Sequence, residues 1–172
     1  MAILKVARMG HPVLREVAHP IPPDHIRDPE IQRLVADMID TLVEYEGVGL
    51  AAPQVHEGVR LVVLAAVEGA APLVLVNPEL TWLTGDRVRS WEGCLSVPGL
   101  RAVVPRFARI RYTGFDPKGQ RIEREAEGFH ARVVQHECDH LIGKLYPMRV
   151  RDFSRFGYTS VLFPGLDAAE DD

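Results

Sequence analysis

The chemistry-bearing stretch of this chain is Gln135-His136-Glu137-Cys138-Asp139-His140-Leu141. It contains His-Glu-x-x-His, in which two histidines four residues apart share one face of a helix and can grip a single metal ion. Glu137, next to the first of them, is placed to exchange protons with a metal-activated water. Two histidines do not close a metal site, so a third ligand must come from elsewhere. Cys138 lies two residues from His136, about 200° around a helix, and cannot share an ion with both histidines. The remaining soft ligand is Cys94, in Ser90-Trp91-Glu92-Gly93-Cys94-Leu95-Ser96-Val97-Pro98-Gly99. Gly93 exposes the backbone there and Pro98-Gly99 ends any regular strand, which suits a thiolate presented from a strand edge. One Cys and two His leave an open position on a four-coordinate ion, the mark of a catalytic rather than a structural site. A carbonyl under attack by water needs hydrogen-bond donors for its developing negative charge, and a side-chain amide such as Gln54 and a backbone N–H near Cys94 can supply them.

These residues must be carried by a modest scaffold. The 172 residues fit one domain, with 47% hydrophobic and 26% charged residues, as in ordinary globular proteins. The net charge of -4 gives no global attraction to nucleic acid or anionic membrane. No apolar run approaches a membrane span, and the first twenty residues lack a secretory core, so the expected compartment is the cytoplasm. The 2 cysteines are too few for a disulfide scaffold and favour a reducing environment.

Residues 1–27 are rich in proline and without periodicity, and are expected to form an irregular arm. His11, His19 and His25 fall there without metal-ligand spacing. Asp28-Pro29-Glu30 predicts a helix start, with Asp28 as N-cap and proline at the first helical position. Ile31, Leu34, Val35, Met38, Ile39, Leu42 and Val43 then repeat at helical spacing. The following Gly47-Val48-Gly49-Leu50-Ala51-Ala52-Pro53-Gln54 lacks side-chain bulk, so something approaches its backbone closely, unless it is only a tight helix-to-strand turn. It is not a dinucleotide loop: the third glycine is missing and a helix, not a strand, precedes it.

Residues 60–67 and 73–77 read as buried strands joined by a loop at 68–72, and 78–84 as a further strand. Residues 107–113 and 120–127 read as a hairpin around Asp116-Pro117-Lys118-Gly119. Arg101, Arg106, Arg109 and Arg111 form a basic run, of which Arg109 and Arg111 fit a solvated face. The last helix is expected at about 129–142, ending at Gly143, with stripes on two faces that require it to be largely enclosed. Beyond 151, glycines and prolines predict a short extended tail with an acidic end.

Three segments together, Gly47 to Gln54, Glu92 to Ser96 and Gln135 to His140, resemble the motifs of peptide deformylases, and the resemblance extends over most of residues 3–150. It implies an α+β fold in which the metal-binding helix is enclosed by antiparallel or mixed sheets, with an N-terminal amphipathic helix beside them, all in a single catalytic domain spanning 1–172. It implies removal of the formyl group from N-formylmethionyl peptides of nascent chains, and one Fe²⁺ per chain with Zn²⁺, Ni²⁺ or Co²⁺ as substitutes. Cys94, His136 and His140 would be the ligands and Glu137 the general base, then acid. Gln54 and the Leu95 N–H would bind the formyl oxygen. Backbone groups of Val48, Gly49 and Gly93 would pair with the peptide, and Phe129, Val133 and His136 would line the methionine pocket. Arg101, Arg106 and Arg132 match positions near the site. Many members finish with a long helix that meets the ribosome; the Gly/Pro-broken tail here does not read as one, which puts such a transient contact in question. A metallopeptidase using the same helix would need a carboxylate or histidine ligand after His140, where no histidine occurs and only Asp152, Asp167 and the acidic end remain. A purely structural metal module would need a fourth protein ligand, and no second cysteine is well placed.

Overall fold

The computed structural model describes residues 2–65 and 71–165; residues 66–67 of the strand expected at 60–67, residues 68–70 of the expected loop and the acidic end at 170–172 lie outside them. Eight strands and three helices are described, with short 3₁₀ turns between them: α1 (Pro29–Glu44), β1 (Gly49–Ala51), β2 (Leu61–Leu64), β3 (Leu73–Trp82), β4 (Arg87–Glu92), β5 (Leu100–Phe107), β6 (Arg109–Phe115), β7 (Arg121–Glu127), α2 (Gly128–His140), β8 (Phe156–Tyr158) and α3 (Thr159–Leu162). The strands form a five-stranded sheet in the order β1-β2-β3-β6-β7 and a three-stranded sheet in the order β4-β5-β8. Every strand pair is antiparallel, an α+β arrangement as expected. No helix among the described residues is long and apolar enough to cross a membrane.

β2 explains how α2 becomes central. Its Leu-Val-Val-Leu run is buried on both faces, because side chains alternate across the sheet. Val62 and Leu64 pack with Leu75, Ile110, Tyr112, Ala131, Val134 and Leu141, burying α2. Leu61 and Val63 pack with Met38, Leu42, Leu50, Val74 and Val76, burying the apolar stripe of α1. The five-stranded sheet is thus held between the two helices. A third cluster joins Ala7 and Leu14 of the arm to Val97, Ala102, Val104, Leu145 and Tyr146.

Several local expectations change. Asp28 does not cap α1 with its side chain; its carboxylate accepts from His25 Nδ1 at 2.7 Å. The strands expected at 73–77 and 78–84 are one, β3, because the break that Pro78 imposes is absorbed by a bulge between Val76 and Glu79. Asn77 takes a left-handed φ of 51° there, and its amide exchanges two hydrogen bonds with Ile21 at 2.9 and 2.7 Å. The segment from 151 is not simply extended: β8 pairs with β5 and α3 follows it, so the tail completes the small sheet. Gly143 has φ 70° as a residue beyond a helix end should, though regular α-helix stops at His140 and a tighter turn bridges the gap.

Candidate active site

α2 is the platform. Its buried residues include Arg132, Val133, Gln135, His136, Glu137, Asp139 and His140, an unusual polar load for a core helix, which requires each group to find a partner. His136 and His140, one turn apart, face each other with ring centroids 5.1 Å apart. Cys94 reaches them from the turn after β4, its Sγ 3.5 Å from His140 Nε2. The ligand atoms of Cys94, His136 and His140 lie within 4.8 Å of one another. Both cysteines are free, and Cys138 faces away into the α2–sheet core, where burial first, and the neighbouring Glu137 charge second, push its thiol up to about 12.

The donor set fits a divalent transition ion, since thiolate and imidazole are its ordinary protein ligands. Local electrostatics agree. Burial opposes a proton on His136, yet hydrogen bonding to Cys94 and Glu92 overrides it and raises the group, whereas burial and the charge on His136 lower His140. The Glu92 carboxylate that favours positive charge at His136 would favour a metal cation there as well.

Behind His136 lies a set of charged residues whose pairing sequence reasoning missed, though the resemblance had put Arg106 and Arg132 near the site. Burial alone would raise Glu92, but hydrogen bonds from Arg106 and His136 hold it well below the usual carboxylate range. An ionised carboxylate only accepts, so His136 Nδ1–H donates to Glu92 Oε2 at 2.9 Å and Nε2 is left to face the cleft. Such a carboxylate–histidine pair fixes the ring of a metal ligand. Arg106 forks onto Glu92 at 2.9 Å from both Nε and Nη2, and its Nη1 donates to Asp139 at 2.5 Å. Arg132 donates to Glu92 at 2.6 Å and to the carbonyls of Val104 and Val88 at 3.0 and 2.7 Å. Glu92 stands inside the Cys94 motif, but its sequence position gave no sign of these partners. Arg106, read from the sequence as part of a basic run and, by the resemblance, as a position near the site, alternates inward in β5 with Ala102 and Val104. Arg109 and Arg111 stay exposed and pair with Glu125, as expected for a solvated face.

A cleft of about 260 Å³ opens over this site. Gln54, Leu95, Val48, Gly49, Gly93, Arg101, Phe129, Val133 and Glu137 all line it with Cys94 and His136. Gln54 is 1% exposed. Its Oε1 accepts the Ala51 N–H at 2.8 Å, so its amide nitrogen points the other way, 3.1 Å from Ser96 Oγ and 3.5 Å from Cys94 Sγ. Ser96 is therefore a second residue that the sequence reading left without a task. Glu137 Oε2 is buried and has no hydrogen-bond partner. Burial, the largest influence, and the charge of Glu92 outweigh the opposing pull of His136 and push Glu137 up to about 7. A carboxyl group poised there takes and returns protons near neutral pH.

The close approach expected at Gly49 is made from within the protein. A Cβ there would run into the Glu137 side chain, with Cγ and Cδ at 2.7 Å, so the glycine makes room for the acid itself. At Gly93 the nearest side chain, Arg101, is at 3.5 Å, ordinary contact, and no protein atom demands a glycine. β1 is an edge strand. Ala65 N–H donates to the Val48 carbonyl, so by antiparallel alternation Val48 and Leu50 bond toward β2 while Gly49 turns its backbone groups to the free edge. Arg101 borders the cleft with its Nε buried and unpartnered.

Residues 3–156 match the model of a family described as polypeptide deformylase. The chain is 52% identical over 174 residues to peptide deformylase 2 of Bordetella bronchiseptica, covering 96% of this chain and 98% of that one. Among solved structures it is similar to a class I type b peptide deformylase from Acinetobacter baumannii bound to Met-Ala-Ser, with TM-score 0.81, 34% identity, and 87% of this chain and 100% of the other covered. It is likewise similar to the peptide deformylase of Thermotoga maritima, with TM-score 0.82, 36% identity, and coverage of 88% and 100%.

Proposed function

The chain belongs to the polypeptide deformylase family, and from that premise we propose which of its residues carry the reaction. The activity is hydrolysis: as a metal-dependent amidohydrolase it removes the formyl group from the N-terminal formylmethionine of nascent polypeptides and releases formate. Residues 1–172 act as one catalytic domain, since the sheets and the arm all pack around the site on α2.

Cys94, His136 and His140 hold the metal, and the convergence of their ligand atoms within 4.8 Å is the observation that carries the reading. The native ion is Fe²⁺, with Zn²⁺, Ni²⁺ or Co²⁺ as substitutes. Bound there, a divalent ion supplies Lewis-acid polarisation of the formyl carbonyl and lowers the pKa of water toward ~7. Glu137 accepts the proton of the attacking water and delivers it to the departing amine, a two-way duty suited to a carboxyl near pH 7. Gln54 Nε2 and the Leu95 N–H donate to the formyl oxygen as its charge grows. The tether from Ala51 to Gln54 Oε1 keeps that amide from turning its oxygen toward an anion.

The peptide lies along the free edge of β1. Gly49 supplies its backbone N–H and C=O, Gly93 contributes from the opposite rim, and Val48 adds side-chain surface because its own carbonyl is already engaged. The methionine side chain enters between Phe129, Val133 and His136. Phe129 is 66% exposed, which leaves an apolar ring free to close over a substrate. N-formylmethionyl peptides are thus the partner class, a reading supported by the similar Acinetobacter protein, whose structure holds Met-Ala-Ser. The enzyme works in the cytoplasm, where nascent chains emerge, and its contact with the ribosome is transient.

Replacing Glu137 with Gln tests the assignment. The variant should retain one metal per chain and lose most turnover in a formate-release assay. Near-normal turnover at matched metal content would remove Glu137 from the mechanism.

A further inference from the structure

The charged network behind His136 does not end at Asp139. After α2 the chain makes a 3₁₀ turn, Tyr146–Arg149, and this turn touches α2 at both ends. The Tyr146 ring lies nearly parallel to that of His136, centroids 6.2 Å apart, and its hydroxyl donates to the Leu100 carbonyl at 2.8 Å. Arg149 grips Asp139 with a fork, Nη2 to Oδ1 at 2.6 Å and Nε to Oδ2 at 3.0 Å. Asp139 Oδ2 is also the atom that accepts from Arg106 Nη1. The path is continuous: Arg149 to Asp139, Asp139 to Arg106, Arg106 to Glu92, Glu92 to His136. Asp139 and Glu92 side chains are 8% and 4% exposed, whereas the Arg149 side chain is 34% exposed. Arg149 is therefore the point where a buried charge network meets the surface. It stands outside all three sequence segments that define the site.

We propose that Arg149 is a positioning residue for the metal centre, acting on His136 through Asp139, Arg106 and Glu92. The inference rests on the reading of Cys94, His136 and His140 as metal ligands. Its physical basis is the planar fork. Arg149 satisfies both oxygens of Asp139 and fixes the direction in which that carboxylate presents Oδ2 to Arg106. Arg106 in turn uses its remaining edge to set the Glu92 carboxylate, which orients the His136 ring. Without Arg149, Asp139 loses its partner for Oδ1 and the anchor for its plane. Arg106 then divides its donors differently between two carboxylates, and the His136 ring loses its fixed tilt.

The test uses the full chain loaded with Co²⁺, whose visible absorption reports ligand geometry and thiolate bonding, in Arg149→Met, Arg149→Lys and Arg151→Met. Arg149→Met should still bind one Co²⁺, with altered ligand-field absorption, and release it to a chelator ~10-fold faster, the lower end of losses for such supporting contacts. Its kcat should fall while KM stays unchanged. Arg149→Lys, which keeps the charge but not the fork, should recover part of both properties, and Arg151→Met, on the exposed neighbour, should match the parent chain. A parent-like cobalt spectrum and release rate in Arg149→Met would overturn the proposal. So would a lowered unfolding midpoint of the metal-free variant with no change in cobalt release, which marks a merely structural role. Should Arg149→Met not fold, the Lys variant decides, and a parent-like release rate in it overturns the idea. Absence of any thiolate–cobalt band in the parent chain would instead overturn the ligand assignment, and this inference with it.

Discussion

Gly49→Ala adds one methyl group and tests how tightly the site is built. Gly49 lies in β1 with no left-handed φ, so the backbone accepts alanine without strain. What resists is Glu137: the new Cβ would sit 2.7 Å from its Cγ and Cδ, where ordinary contact begins at 3.4 Å. Its Oε1 would lie closer still, so the acid must retreat by roughly 1 Å, and at 3% exposure the cleft it lines is where it can go. Misplacing a catalytic group by about 1 Å costs on the order of 10² in rate, or ~2.7 kcal/mol of barrier. The three atoms nearest the new Cβ all belong to Glu137 and none to a metal ligand, so metal content and unfolding midpoint should hold. Gly47→Ala is the comparator. Its Cβ would meet Leu42 Cδ1 at 2.8 Å and Leu95 Cδ1 at 3.3 Å, the movable ends of side chains, and activity should stay within about 3-fold, a ~0.7 kcal/mol effect. The assay is formate release from a formyl-Met peptide at matched metal loading. Equal activities for the two variants would refute the claim that Gly49 exists to seat Glu137.

Gln54→Ala should lower kcat by ~10²–10³, as loss of an oxyanion donor does, and an effect on KM alone would exclude that role. Arg106→Met leaves Glu92 and Asp139 without the cation between them, and breaking one partner of a buried pair costs about 3–5 kcal/mol. Denaturant unfolding of the metal-free protein should show that loss, and a change below about 1 kcal/mol would mean that Arg132 and Arg149 suffice.

The catalytic helix was legible because a metal imposes spacing: two ligands on one face of a helix must fall four residues apart, and Cys138 is excluded by the same geometry. Cys94 followed from ligand chemistry, and the enclosure of α2 followed from its two stripes. The pairing of the supporting residues was not legible. Glu92 meets Arg106 and Arg132 across 14 and 40 positions, and no local pattern encodes which distant charge will neutralise a buried one. β4 and β5 escaped notice because Arg87, Arg89, Arg101 and Arg106 disguise their alternation. Only the fold shows Arg106 turned inward, to where Glu92 and Asp139 wait. β3 was split in two because proline normally ends a ladder, and the bulge with left-handed Asn77 that rescues it has no sequence rule stronger than that one. Asp28 had the right type for a cap, but His25 competes for its carboxylate.

The central claim is that Cys94, and not Cys138, completes a site with His136 and His140. Adding Co²⁺ stepwise to metal-free protein while measuring formate release tests it most directly. The parent chain and Cys138→Ala should gain activity up to a break at one equivalent per chain, and Cys94→Ala should gain none. A Cys94→Ala variant that titrates to the activity of the parent chain would contradict the account.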